Sequence, residues 1–135
     1  MKQSETLDPM SIVDVDLTTE ERFLLRRGLS EWGGPTRCTE ELAIAMGFEG
    51  IDGLYSEGRR IASLLDSGNA LTRLDLLRAV LATEFAFISD TLGSGSDWVA
   101  TVGMSDSDTI ALLREVQRKT TKHVRSLLGD GLGNR

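Results

Sequence analysis

The stretch from Leu71 to Leu92, LTRLDLLRAVLATEFAFISDTL, constrains this chain more than any other, because it is long, apolar and free of glycine and proline. Thr72 with Asp75 three residues later gives it a capping-box-like start, and Gly93 supplies a stop. At about 100° per residue, Leu74, Leu76, Leu77, Val80, Leu81, Phe87, Ile88 and Leu92 fall on one broad arc, with Asp75, Arg78 and Ser89 on the other side. An arc that wide must be covered by other helices. The expected fold is therefore all-α, a compact single-domain bundle of five to six helices around a central hydrophobic helix at about 71–92.

Glu84 breaks the pattern of that helix. It lies nine residues beyond Asp75, about 900° or a net half turn, and so points into the apolar arc beside Leu77, Val80 and Ile88. A carboxylate in such a place must be paired, hydrated or protonated. Two readings stay open: a structural ion pair, with Arg26, Arg27, Arg59 and Arg60 as candidate partners, or a functional carboxylate lining a cleft.

The flanking sequence supplies the covering helices. Residues 1–16 are expected to form a flexible or extended arm, with Met10, Ile12, Val13 and Val15 able to lie against the domain. A helical domain follows over 17–128. Thr18 and Glu21 make a capping box for a first helix whose inner stripe is Leu25, Leu29 and Trp32, ended by Gly33, Gly34 and Pro35. A short second helix opens near Thr36 to Thr39 and stops at Gly47, and a third covers roughly Gly53 to Asp66. After the GSGSD corner at 93–97, Trp98 to Val102 makes one turn. Ser105 and Asp108 then start the last helix, whose seam is Ile110, Leu113, Val116, Thr120, Val124 and Leu127. Residues 129–135 read as a flexible tail.

Charge and composition narrow the chemistry. The 135 residues carry 15 basic and 21 acidic side chains, a net charge of -6, and the acidic excess lies entirely in the first 70 residues. Such a surface keeps a small protein soluble and works against non-specific attachment to nucleic acid or anionic membrane. One cysteine, Cys38, and one histidine, His123, exclude an intrachain disulfide and a Cys/His zinc cluster. The N-terminus has no signal-peptide core and no segment is apolar enough to span a membrane, so a cytoplasmic address is expected. No phosphate-loop, dinucleotide or GxSxG fingerprint is present, and no cofactor is expected.

ELAIAMGFEGIDGLYSEGRR resembles the helix-turn-helix family over about 20 residues. Leu42 and Ala43 stand where the motif's first helix packs on its second, Gly47 stands at the turn, and Phe48 follows it. The resemblance implies DNA binding by segment 36–66 with Arg59 and Arg60 in contact. After the turn the chain departs from the pattern, with Gly53 at the apolar anchor and Asp52 and Glu57 sharing the outer face.

The reading that best fits these features is a small acidic, non-catalytic interaction module that binds another protein, of adaptor, inhibitor or immunity type. Its partner-binding candidates are Glu40 and Glu41 on the acidic half, and Arg114, Arg118, Lys119, Lys122 and Arg125 on the basic end of the last helix. The alternatives are the helix-turn-helix-like, transcription-related DNA binder and a small-ligand pocket or enzyme centred on Glu84.

Overall fold

The computed structural model describes residues 8–33 and 37–133. It is an all-α bundle of six helices: α1 Thr19–Glu31, α2 Glu40–Ala45, α3 Ile51–Asp66, α4 Arg73–Ile88, α5 Trp98–Val102 and α6 Asp106–Gly133. The capping signatures act as their chemistry requires. Thr18 Oγ1 accepts from the Glu21 amide at 3.1 Å while Glu21 Oε1 accepts from the Thr18 amide at 2.8 Å, a complete capping box. Thr39, Thr72 and Ser105 accept from the amides of Leu42, Asp75 and Asp108 and start α2, α4 and α6.

Three boundaries differ from expectation. The central helix is shorter than 71–92: Leu71 and Thr72 form β2, which pairs antiparallel with β1, Ile12–Val13, so the N-terminal arm is strapped to the start of α4. At its other end α4 stops at Ile88, because Ser89 turns extended and the chain doubles back. Gly93 permits that return. A Cβ there would collide with the carbonyls of Phe85 and Ala86, and the next amide, Ser94 N, donates to Ala86 O at 2.6 Å. The third difference is in α6, whose backbone continues past Gly129 to Gly133 with no proline to end it. Residues 1–7 of the arm, Gly34 and Pro35 at the expected stop of α1, Thr36 at the expected opening of α2, and residues 134 and 135 of the tail lie outside the described residues.

α1 is the hub of the packing, meeting α3, α4 and α6, while α4 lies between α1 and α6 and touches α3 mainly near its own start. Leu24 and Leu25 of α1, Ile61 of α3, Leu76, Ala79, Ala82 and Ala86 of α4 and Val116 of α6 form the solvent-free centre. Both tryptophans seal helix ends. Trp32 Nε1 donates to Ala82 O at 2.9 Å, and Trp98 Nε1 to Thr109 Oγ1 at 2.9 Å, with Phe87 edge-on to Trp98 at 5.3 Å.

The faces of α4 are not those the sequence arc implies. Asp75 and Arg78, expected on a solvent stripe, are buried, because α3 lies over that stripe and brings Arg60 to within 2.8 Å of Asp75. Arg78 is held by Asp75 at 3.2 Å, by the Gly47 carbonyl at 2.9 Å and over the Phe48 ring. Ile88, expected inside, is 70% exposed, and Ile110 of the α6 seam is exposed as well. These two apolar residues flank a cleft instead of filling the core.

Candidate functional site

Two grooves run along α6. The first lies between the last turns of α4 and the N-terminal half of α6. It is about 380 Å³ in volume, with Phe85, Ile88, Ile110 and Leu113 as its apolar walls. Its polar wall is a chain of hydrogen bonds: Arg114 Nη1 donates to Gln117 Oε1 at 2.8 Å, and Gln117 Nε2 donates to Glu84 Oε2 at 2.7 Å. Glu84 therefore has an amide partner and not the arginine expected. Among the described residues none of the four candidates pairs with Glu84. Arg26 pairs with Asp66, Arg27 with Glu31 and Arg60 with Glu57 and Asp75, while among the described residues no hydrogen bond or ion pair engages Arg59.

The second groove lies between α1 and α6. Lys119 meets Glu21 while Arg27 donates to the Thr101 carbonyl just before α6, so the two helices run in opposite directions. At the N-terminal end of α1, Phe23, Met104, Ala111 and Leu112 make an apolar floor in a trough of about 730 Å³. Glu20, Asp108 and Glu115 stand around it. Glu115 is paired with Arg118, which holds its carboxyl below the usual range. Among the described residues no hydrogen bond or ion pair engages the carboxylates of Glu20 or Asp108. Phe23 is 42% exposed, an aromatic ring bordered by carboxylates.

The basic candidates on α6 do not form one patch. A helix turns about 100° per residue, so Arg114, Arg118, Lys119, Lys122 and Arg125 point in several directions. Arg114 belongs to the Glu84 cleft, Arg118 folds onto Glu115, and Lys119 reaches the buried Glu21 carboxylate at 2.8 Å and the Asp16 carbonyl. Lys122 and Arg125 are exposed. Glu40 is a structural acceptor for the Ile51 amide at 3.3 Å, so it caps α3 across the turn, whereas Glu41 is exposed.

Segment 36–66 does contain two helices joined by a tight turn, with Gly47 and Gly50 at positive φ. The N-terminal end of α3, which a helix-turn-helix protein would insert into a groove, carries Glu49, Asp52 and the capping Glu40. Arg60 is tied to Glu57 and Asp75, leaving Arg59 the freer guanidinium of the two.

Among the described residues no hydrogen bond joins Cys38 and His123. Burial and the nearby Glu40 push the Cys38 thiol upward, the wrong direction for a reactive thiolate. His123 has its own surroundings, Lys122, Arg73 and Asp14, none of which is near Cys38 in its contacts. Among the described residues no three His, Cys, Asp or Glu side chains converge to hold a metal ion.

Besides Asp75, two further carboxylates are buried that helical periodicity does not mark. Glu31, 3% exposed, accepts from Ser94 Oγ at 2.5 Å, Thr101 Oγ1 at 3.0 Å and Arg27 at 3.0 Å, joining the Trp32 corner to the Trp98 corner. Glu21 is buried under Lys119. Both sit next to apolar stripes on α1, and for Glu21 the capping box with Thr18 is a second local signal. The acidic trough was equally invisible, since its sides come from residues nearly ninety positions apart. The chain matches no protein-family model, and comparison with curated proteins and with solved structures finds no significant match. Among the described residues no helix is long and apolar enough to cross a membrane.

Proposed function

We propose that this chain is a non-catalytic module that binds another protein by seating a cationic amphipathic helix of that partner in the trough between α1 and α6. The observation that carries the reading is the exposed Phe23 floor ringed by Glu20, Asp108 and Glu115. An apolar stripe on the incoming helix covers Phe23, Met104 and Leu112, and its Lys or Arg side chains reach the rim. Asp108 and Glu115 are seven residues apart, about two turns or 10 Å along α6, a spacing that basic residues two turns apart on the partner match. The chain's net charge of -6 steers such a partner toward it. A single free thiol, Cys38, fits a reducing compartment such as the cytoplasm.

The test is fluorescence anisotropy with a labelled helical peptide carrying leucines at i, i+4 and i+7 flanked by lysines, at two salt concentrations. Saturable binding that weakens with salt and is lost in both Phe23→Ser and the double variant Glu20→Lys, Asp108→Lys supports the reading. Binding that ignores Phe23→Ser would show diffuse attraction to an acidic surface, and absence of binding at low salt would remove the proposal.

A further inference from the structure

The cleft between α4 and α6 is separate from the trough, opening on the other side of the α6 N-terminal half. Ile110, Leu113, Arg114 and Gln117 face the cleft, whereas Asp108, Ala111, Leu112 and Glu115 face the trough. Its volume of about 380 Å³ is at the small end of the range for pockets that enclose organic molecules. The walls are apolar and accessible: Phe85, Ile88 and Ile110 are each more than a third exposed.

The polar groups in the cleft are unequal. Glu84 Oε2 is occupied by the Gln117 amide, but among the described residues no donor engages Oε1. The cleft also sits on the last turn of α4, where the carbonyl end of the helix carries a partial negative charge and no basic residue of α4 answers it. Among the described residues Arg114 is the only cation lining the cleft, and its guanidinium donates to Gln117 Oε1 and makes no ion pair with Glu84. A carboxylate with a vacant acceptor, a helix C-terminus and the ring of Phe85 all favour a positive group beside an apolar surface.

We propose that this cleft is a binding site for a small organic ammonium compound, an aliphatic or arylalkyl amine whose –NH3+ donates to Glu84 Oε1 while its apolar body lies between Ile88, Phe85 and Ile110. The Arg114–Gln117 chain acts as the positioning element: it fixes Gln117 Nε2 on Oε2 and leaves Oε1 directed to the ligand. The proposal does not depend on the trough, since the two sites share no side chain.

The test is a nuclear magnetic resonance titration of the 15N-labelled full chain with hexylamine and 2-phenylethylamine as their ammonium salts, against hexanol and phenylacetate at equal ionic strength. Amide shifts at Glu84, Phe85, Ile88 and Ile110, with affinity about tenfold or more above that for the neutral and anionic counterparts, are expected from one charge-assisted hydrogen bond. Glu84→Gln should remove that preference while retaining the apolar contacts. Arg114→Gln removes both a like charge and the donor that holds Gln117, so it should change amine affinity less than Glu84→Gln does. If the Glu84 variant fails to fold, the comparison of amine with alcohol on the unaltered chain still decides. Equal shifts from hexanol and hexylamine, or none at millimolar ligand, would overturn the proposal. So would sedimentation showing a dimer that Ile88→Asp dissociates, because the face would then be covered by a second copy.

Discussion

Gly28 of α1 lies directly against Thr83 of α4, so close that a methyl group on Gly28 would overlap the threonine side chain and backbone. That contact lets the hub helix and the central helix approach through their backbones, with Thr83 Oγ1 turned back onto the Ala79 carbonyl at 2.9 Å. In a free helix, Gly28→Ala would be worth about 1 kcal/mol of stability through helix propensity. Here the sign reverses: overpacking the crossing should cost roughly 1–3 kcal/mol. Gly58 of α3 is the control. The nearest atom to its added Cβ is Leu29 Cδ2 at 4.0 Å, so Gly58→Ala should stabilise by about 0.5–1 kcal/mol. Urea denaturation of the two variants checks the opposite signs.

Glu21 and Lys119 should respond unequally to removal. Glu21 is 2% exposed, whereas the Lys119 side chain keeps a path to water. Lys119→Met strands a buried carboxylate and should cost about 3 kcal/mol. Glu21→Gln keeps an acceptor for the Thr18 amide and frees the lysine to hydrate, for a cost of about 1 kcal/mol. Equal losses in chemical denaturation would mean that the pair contributes through packing and not through charge.

The Asp75 cluster gives a similar asymmetry on α4. Asp75→Asn removes the nearer carboxylate from Arg78, leaving that buried guanidinium only Glu57 at 3.7 Å, and should cost roughly 2–3 kcal/mol. Arg60→Gln removes a half-exposed partner and should cost about 1 kcal/mol or less. A double-mutant cycle on Arg60 and Asp75 should return a coupling energy of up to about 1 kcal/mol, in line with the cost of removing Arg60; a value near zero would show that α3 is held by its apolar face alone.

His123 links stability to pH. Burial, with Lys122 and Arg73 adding to it against Asp14, holds the imidazole below its usual value, so the folded chain binds its proton less readily than the unfolded chain. Stability from this residue is complete above about pH 6.5, the unfolded value, and is lost as pH falls through the window between that and the lower folded value. The melting temperature of the unaltered chain should fall between pH 7.5 and 5.5 by more than that of His123→Gln. Matching profiles would remove the assignment.

The helix starts needed no tertiary information. Thr18 with Glu21, Thr39, Thr72 and Ser105 each satisfy an amide within three residues, and chemistry that local is written in the order of side chains. The same holds for the all-α class, since the spacing of Leu76, Leu77 and Val80 or of Leu113, Val116 and Thr120 depends only on helical pitch. Long-range placement decided the rest. Periodicity marks a polar stripe on α4 but not that α3 would bury it by carrying Arg60 to Asp75. It puts Glu84 among apolar neighbours but not beside Gln117. It cannot show that Ile88 and Ile110 border a cleft, or that Glu20 and Asp108 share a trough, because both facts arise from how far α6 stands from α4 and α1. One-dimensional spacing determines which face of a helix is apolar, whereas the crossing at Gly28 and Thr83 and the reversal at Gly93 set where those faces close and where they stay open.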